Sequence, residues 1–386
     1  MSATELYHFA AYRFIHSRVK MLGTPYRQAR FQFFGRFLKG RVEPVPREQQ
    51  CSGLATEHLP MLVGQYFVQQ AFDEQQRQLA ESLLANVIDK MEKRFEDTEW
   101  LDNKSRGEAI DKLKALQRMI AKPDYAMTYP FVLERDTFSD NVDMITAHTW
   151  RRSLEQLWYP THRSEWHLSP AEVNAYHSRT LNSVVFPAAY LVPLALDGTR
   201  HPAEAFGGIG MVMGHEVGHA FDAYGLSFDA TGTMRDWIAP ESEDELVKRV
   251  ECFMAQYSKI EVFGRDGDSL GFVDGNQTIA ENMADNSGLS VALDAYRDAV
   301  NGSKHGAKTH GITSENEGEQ LFFLSFAQLW CSAMRDEAMS EQLDNDSHAP
   351  EAARVLGVLI NSEDFARAYK CKVGTRMNPE AKCKVW

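Results

Sequence analysis

The chain has 386 residues, 44% of them hydrophobic and 25% charged, and carries a formal net charge of −13. That length holds two or three domains with ample core. The acidic balance excludes the basic face that nucleic-acid binding requires, and no apolar run approaches the length of a membrane span.

Met1 to Phe9 lacks both the basic start and the apolar core of a secretory signal. The sequence opens directly in a helical pattern, with Leu6, Phe9, Ile15, Val19 and Leu22 at helical spacing. Helix follows helix to about residue 122. Leu84, Val87, Ile88, Met91 and Phe95 form one core-facing stripe; Ile110, Leu113, Leu116 and Ile120 form a second that Pro123 ends. From Lys122 to about Pro160 the pattern weakens, and a domain boundary is expected there or shortly after.

Val184, Val185 and Phe186, closed off by Pro187, predict an edge strand just after Val173-Asn174-Ala175-Tyr176. Such an edge offers unpaired backbone groups to an extended peptide. A loop over 194–206 leads to the glycine-rich Gly207–Gly214, which runs into a helix. Glycine inside a helix costs about 1 kcal/mol relative to alanine. Gly214 and Gly218 therefore predict that another backbone or a metal site packs close by. A helix is expected at roughly 241–258, a loop over 262–274, and another helix from Thr278. After a loop over about 301–318, helical spacing resumes at Leu321–Trp330.

Chemistry concentrates at His215-Glu216-Val217-Gly218-His219. Four residues apart on a helix, the two histidines share one face and can hold a single zinc ion. Glu216 is placed to take a proton from attacking water. Catalytic zinc needs a third protein ligand. Glu281 is the best candidate, because Ile279, Met283, Ala284 and Leu289 make its helix too apolar for the surface. Asp285, one turn further on, and Asp222, three residues past His219, can each accept from the non-ligating nitrogen of a histidine.

The five cysteines, Cys51, Cys252, Cys331, Cys371 and Cys383, form no CxxC pair, which disfavours a cysteine metal site or a redox motif. Sequons at Asn103, Asn276, Asn301 and Asn345 hint at secretion. There is no P-loop, dinucleotide fingerprint or G-x-S-x-G elbow.

Ordered motifs along the chain make it resemble the C-terminal half of the neprilysin and endothelin-converting-enzyme family of zinc metalloendopeptidases. The matches begin with Trp100-Leu101-Asp102, Ala109 and Lys112, then Glu165-Trp166, Val173–Tyr176 and Phe186-Pro187-Ala188. They continue through Gly207–Gly210, His215–His219 with Phe221-Asp222, and Glu281-Asn282 with Ala284-Asp285-Asn286. Gln320–Phe323, Ala327-Gln328, Trp330-Cys331, Asp346, His348, Pro350, Arg354-Val355, Met377-Asn378-Pro379 and Cys383 with Val385-Trp386 complete the series.

The resemblance implies a mainly α fold: a thermolysin-like zincin catalytic domain with a small β-sheet over 161–386, and part of an α-helical second domain over 1–160. It implies one zinc on His215, His219 and Glu281, with Glu216 as general base and Asp222 and Asp285 orienting the histidines. His348, held by Asp346, would stabilise the oxyanion. Asn174 and Ala175 would pair with the substrate backbone, and Arg354 would bind a substrate carbonyl. Cys252 would pair with Cys383, and the partners of Cys51, Cys331 and Cys371 would lie in a half that this sequence lacks. Peptides would be the substrates, at an extracellular or plasma-membrane location, with membrane association only through an absent N-terminal segment. Gly218 departs from the family's usual threonine, and Tyr190 and Ala195 depart from its apolar lining of the pocket for the residue after the scissile bond. The competing reading is a truncated, non-catalytic fragment or binding module of such a peptidase.

Overall fold

The computed structural model describes residues 1–126, 128–160, 162–192, 196–302 and 310–386. The first part is helical: α1 (Ala3–Arg18), α2 (Thr24–Arg30), α3 (Arg47–His58), α4 (Pro60–Ala71), α5 (Glu74–Asp97) and α6 (Asn103–Lys114). Then come β1 (Gln117–Ala121), α7 (Phe138–Glu155), β2 (Tyr176–Ser178), β3 (Ser183–Pro187), α8 (Pro202–Ala205) and α9 (Met211–Gly218). The remainder is α10 (Pro240–Tyr257), β4 (Glu261–Phe263), β5 (Ser269–Phe272), α11 (Ile279–Asn301), α12 (Glu315–Leu329), α13 (Asp336–Asn345), α14 (Glu351–Leu359) and α15 (Glu363–Ala368). This is the mainly α zincin architecture expected of the sequence.

Packing divides the chain into two compact units. The smaller comprises Met1–Pro60, Thr128–Thr161 and Met334–Glu341, the larger Met61–Met127, His162–Ala333 and Gln342–Trp386.

In the smaller unit, a capping box between Ser2 and Glu5 starts α1, but α1, α2 and α3 bury no residue. Among the described residues, Val19, and Val142 and Ile145 of α7, are its buried apolar side chains. Ion pairs join its helices: Arg18 to Asp143 at 2.8 Å and Lys20 to Glu57 at 2.5 Å. Exposed pairs contribute at most about 1 kcal/mol each.

The larger unit has a dense core. In α5 the Asp73–Gln76 capping box opens the helix, and Ala80, Leu83, Leu84, Val87, Ile88, Met91 and Phe95 are buried at the spacing of one face. Asp102 caps α6 by accepting the backbone N–H groups of Lys104 and Ser105. The second apolar stripe is not one helix: α6 stops at Lys114, and Ile120 belongs to β1. Apolar spacing alone could not reveal this, because the hydrogen bonds that make β1 a strand go to β3, more than 60 residues away.

The sheet order is β1-β3-β2, with β1 parallel and β2 antiparallel to β3. The predicted edge strand, β3, is therefore the central one. All five of its residues are buried, as a strand covered on both faces requires, and Pro187 comes last, where it interrupts the ladder least. The edge next to the Asn174-Ala175 segment is β2. Two further expectations are corrected: α7 occupies the weak stretch 122–160, and the 262–274 loop contains the β4–β5 hairpin.

Cys252 and Cys383 form the expected disulfide, which closes a 131-residue separation. Removing so long a loop from the unfolded chain stabilises a fold by about 4–5 kcal/mol in the chain-entropy account. The bridge ties down the C-terminus, where Trp386 stacks on Trp100 and packs edge-on against Phe95. Cys51, Cys331 and Cys371 are free.

Candidate metal centre

Two helices build the centre. Helix α9, entered through a π-helical turn over Phe206–Gly210, carries His215, Glu216 and, in the 3-10 turn that follows, His219. Helix α11 carries Glu281 and Asp285. The helices touch backbone to backbone. A Cβ on Gly214 would stand 2.6 Å from the Gly288 carbonyl oxygen, and one on Gly218 would stand 2.7 Å from Ser287 Oγ. The close approach expected at these glycines is there, and at Gly218 Ser287 fills the space that a larger side chain would need.

Each histidine is held through Nδ1. His215 Nδ1 lies 2.7 Å from Asp285 Oδ1, and His219 Nδ1 lies 2.7 Å from Asp222 Oδ2. These contacts leave both Nε2 atoms for another partner, and Glu281 Oε2 faces them at 3.2 and 3.5 Å. That oxygen is buried without a well-formed hydrogen bond. His215, His219 and Glu281 are the one buried group of metal-ligating side chains among the described residues with ligand atoms all within 4.8 Å. Atoms bound at about 2.0–2.1 Å to one tetrahedral ion stand about 3.3 Å apart. An N, N, O donor set of this size with an orphaned carboxylate oxygen fits a zinc ion.

The carboxylates are held in turn. Arg354, on α14, donates from Nε and Nη2 to Asp285 at 2.7 and 2.6 Å, and its guanidinium lies 4.0 Å from the centre of the Trp330 ring. Burial would raise the Asp285 carboxyl, but Arg354 and His215 bring it down to about 2. Asp222 Oδ1 accepts the backbone N–H groups of Tyr224 and Gly225, and Arg179 lies 3.4 Å from its other oxygen. Glu216 is buried, and desolvation pushes its carboxyl above the usual range against the pull of the neighbouring histidines. A raised carboxyl is suited to exchanging protons near neutral pH.

His348 also reaches the centre. Its Nδ1 lies 2.7 Å from Asp346 Oδ1 and its Nε2 lies 3.2 Å from Glu281 Oε2. Gln277 Nε2 donates to the Asp346 carbonyl and steadies that loop.

Of the residues singled out in the sequence, the fold brings His215, Glu216, His219, Asp222, Glu281, Asp285, Asp346, His348 and Arg354 to one place. Asn174 is exposed and its side chain accepts the Ala175 N–H; both precede β2, whose His177 lies within electrostatic reach of His219. Burial and the nearby Glu216 raise the Tyr190 hydroxyl to about 12. Ala195 lies outside the described residues. Sequence reasoning gave no role to Arg179, Gln277 or Lys112. Lys112 stood out only as one of the matched motif residues.

Two family models described as peptidase family M13 match the chain, one over residues 174–385 and its N-terminal companion over 2–123. Endothelin-converting enzyme 1 of Homo sapiens is 35% identical over 353 residues, covering 89% of this chain and 44% of that enzyme. Neprilysin-3 of Drosophila melanogaster is 32% identical, covering 99% of this chain and 48% of that protein. The crystal structure of the Mycobacterium tuberculosis zinc metalloprotease ZMP1 in complex with inhibitor superposes with a TM-score of 0.89 at 30% identity, over 97% of this chain and 56% of that one. The chain thus spans about half the length of the relatives it matches.

Proposed function

The chain belongs to peptidase family M13, and from that premise we propose that the protein is a zinc-dependent endopeptidase acting on peptides and small proteins. The observation that carries the proposal is the buried His215–His219–Glu281 triangle, with each histidine held from behind by a carboxylate. Zinc held there would act as a Lewis acid on the scissile carbonyl and acidify the attacking water.

The protein's own side chains do the rest. Glu216 accepts the proton of the attacking water and returns it to the leaving amine. His348, oriented by Asp346, donates from Nε2 to the oxygen that develops negative charge. The Asn174-Ala175 segment offers its backbone to an extended peptide as a continuation of the β2 edge. Arg354 spends Nε and Nη2 on Asp285, which leaves Nη1 for a substrate carbonyl. The division expected from the sequence, a helical lobe over 1–160 and a peptidase domain over 161–386, differs from the packing units: Met61–Met127, with most of α4 and all of α5, α6 and β1, groups with the residues of the centre, and Met334–Glu341 groups with the smaller unit.

The Cys252–Cys383 disulfide favours an oxidising, extracytoplasmic location. Among the described residues no helix is long and apolar enough to cross a membrane.

The test is cleavage of a fluorogenic peptide with a hydrophobic residue after the scissile bond, with and without a chelator, by the wild-type protein and by Glu216→Gln. Glu216→Gln should keep its zinc and lose about 10²–10⁴-fold in rate. Equal cleavage by the variant would refute the role of Glu216. A zinc-loaded wild-type chain that cleaves nothing would support the competing reading of a folded, non-catalytic module, which the scant burial in α1, α2 and α3 favours.

A further inference from the structure

Lys112 is 1% exposed, and among the described residues no carboxylate pairs with its ammonium. Its Nζ donates to three backbone carbonyls, Ala220 at 2.6 Å, Gly225 at 2.7 Å and Phe228 at 2.6 Å. It lies over the rings of Phe221 and Trp237, 5.4 and 5.9 Å from their centres. Three acceptors match the three N–H bonds of an ammonium; a neutral amine could satisfy only two. Desolvation pushes this group down to about 7 against the charges of Asp222 and Asp229, and the three carbonyl acceptors favour its protonated form.

The place of the three carbonyls gives them their interest. Ala220 immediately follows His219, in the 3-10 turn that ends the metal-binding helix. The last carbonyls of a helix have no partner within it and form the negative end of its dipole. Lys112 supplies the missing donor at that end. Gly225 and Phe228 close the turn that follows, and between them and Ala220 sits Asp222. The Gly225 N–H that donates to Asp222 at 2.6 Å belongs to a residue whose carbonyl Lys112 grips. At the other end, Asn182 Nδ2 donates to the Lys112 carbonyl, so the lysine's own backbone is fixed.

We propose that Lys112 is a positioning residue for the metal centre: its ammonium locks the 220–228 turn and thereby aims Asp222 at His219. The inference rests on the reading of His215, His219 and Glu281 as zinc ligands. It assigns a part in the centre to α6, a helix that lies more than 100 residues before the histidines and outside the segment expected to form the peptidase domain.

The readout is zinc affinity of the whole chain, measured by competition with a chromophoric chelator, together with thermal melting of the metal-free protein. Removing a carboxylate behind a metal-binding histidine weakens metal binding by about 10–100-fold, so Asp222→Asn should fall in that range. Lys112→Met, which keeps the stem and removes the donors, should weaken it about 10-fold on the same scale. The Lys112→Met/Asp222→Asn double variant should bind no more than about 2–3-fold more weakly than Asp222→Asn alone, because both changes break one chain of contacts. Additive losses in the double variant, or wild-type affinity in Lys112→Met, would overturn the proposal and leave Lys112 a fold staple. Should Lys112→Met not fold, the same cycle with Lys112→Gln decides, with a several-fold loss expected and wild-type affinity again overturning the idea. A wild-type chain that binds no zinc would sink the underlying reading instead, a result distinguishable from any of these.

Discussion

Gly214→Ala tests whether the centre depends on α9 and α11 meeting backbone to backbone. In an unobstructed helix this change stabilises by up to about 1 kcal/mol. Here the added Cβ would stand 2.6 Å from Gly288 O and 2.8 Å from Gly288 Cα, where ordinary contact begins at 3.4 Å. Both obstacles are backbone, so no side chain can swing away and α11 itself must retreat by about 0.8 Å at this point. Overpacking of this kind costs about 1–3 kcal/mol, which outweighs the helix gain. The helix that retreats carries Glu281 and Asp285, and a ligand set needs placement to within about 0.5 Å. The expected result is a melting temperature lower by roughly 2–8 °C and zinc affinity reduced about 10-fold or more. Gly107→Ala is the control. Gly107 lies on α6 with nothing within 4 Å of an added Cβ, so the same chemical change there should stabilise slightly and leave zinc binding alone. Calorimetry and chelator competition on both variants decide. If Gly214→Ala melts with or above Gly107→Ala and binds zinc like wild type, the close crossing does not set the geometry of the centre.

Arg354→Leu leaves Asp285, which is fully buried, without its guanidinium. Breaking a buried pair from one side costs about 3–5 kcal/mol, and a drop of that size in urea-unfolding free energy should be accompanied by weaker zinc binding. Asp102 caps α6 and its carboxyl sits at about 2 against an ordinary 3.8; burial raises it, and hydrogen bonds from Ser105, Ser242 and Lys104 bring it down. With the folded value depressed, its contribution is complete above the ordinary value and is lost as pH falls through about 2. Asp102→Ala should therefore cost about 1 kcal/mol near neutral pH, and its gap from wild type, followed by melting at a series of pH values, should close between pH 4 and pH 2. A gap that stays constant over that window would mean the carboxylate is not the cap.

What could be read from the sequence follows from which interactions are local. His215 and His219, and likewise Glu281 and Asp285, are four residues apart, and the helix converts that spacing directly into a shared face. Glycine at 214 and 218 signalled a close neighbour because glycine in a helix needs a reason. The apolar residues around Glu281 signalled burial. None of these inferences required knowing which segments meet. The failures all did. Ile120 fits the spacing of α6, and only its parallel pairing with β3 makes it part of a strand. Pro187 at its end makes β3 read as an edge, yet a strand's place in a sheet is set by which other segments flank it. α7 leaves a weak signal because its face buries two apolar residues, Val142 and Ile145, too few to outweigh the polar residues around them. Arg354 meets Asp285 across 69 residues, and Lys112 meets Ala220 across 108. No periodicity encodes those distances, and His348 was found only through the resemblance.

Every side chain at the centre, including Lys112, comes from the larger unit. The supports run outward in two lines from the proposed ligands. His215 leads to Asp285, Arg354 and Trp330; His219 leads to Asp222 and the turn held by Lys112. Both lines end in the same core, which the Cys252–Cys383 disulfide closes, and neither uses a residue of α1, α2 or α3. Metal binding and peptide cleavage therefore make different demands on the chain. Zinc affinity should depend on contacts within the larger unit alone. Cleavage also needs a surface that orients an extended peptide, and the relatives are about twice as long as this chain. A variant outside the centre that abolishes cleavage while zinc stays bound would place the fault in substrate positioning; cutting either supporting line, or spreading the α9–α11 crossing, should weaken the metal centre itself.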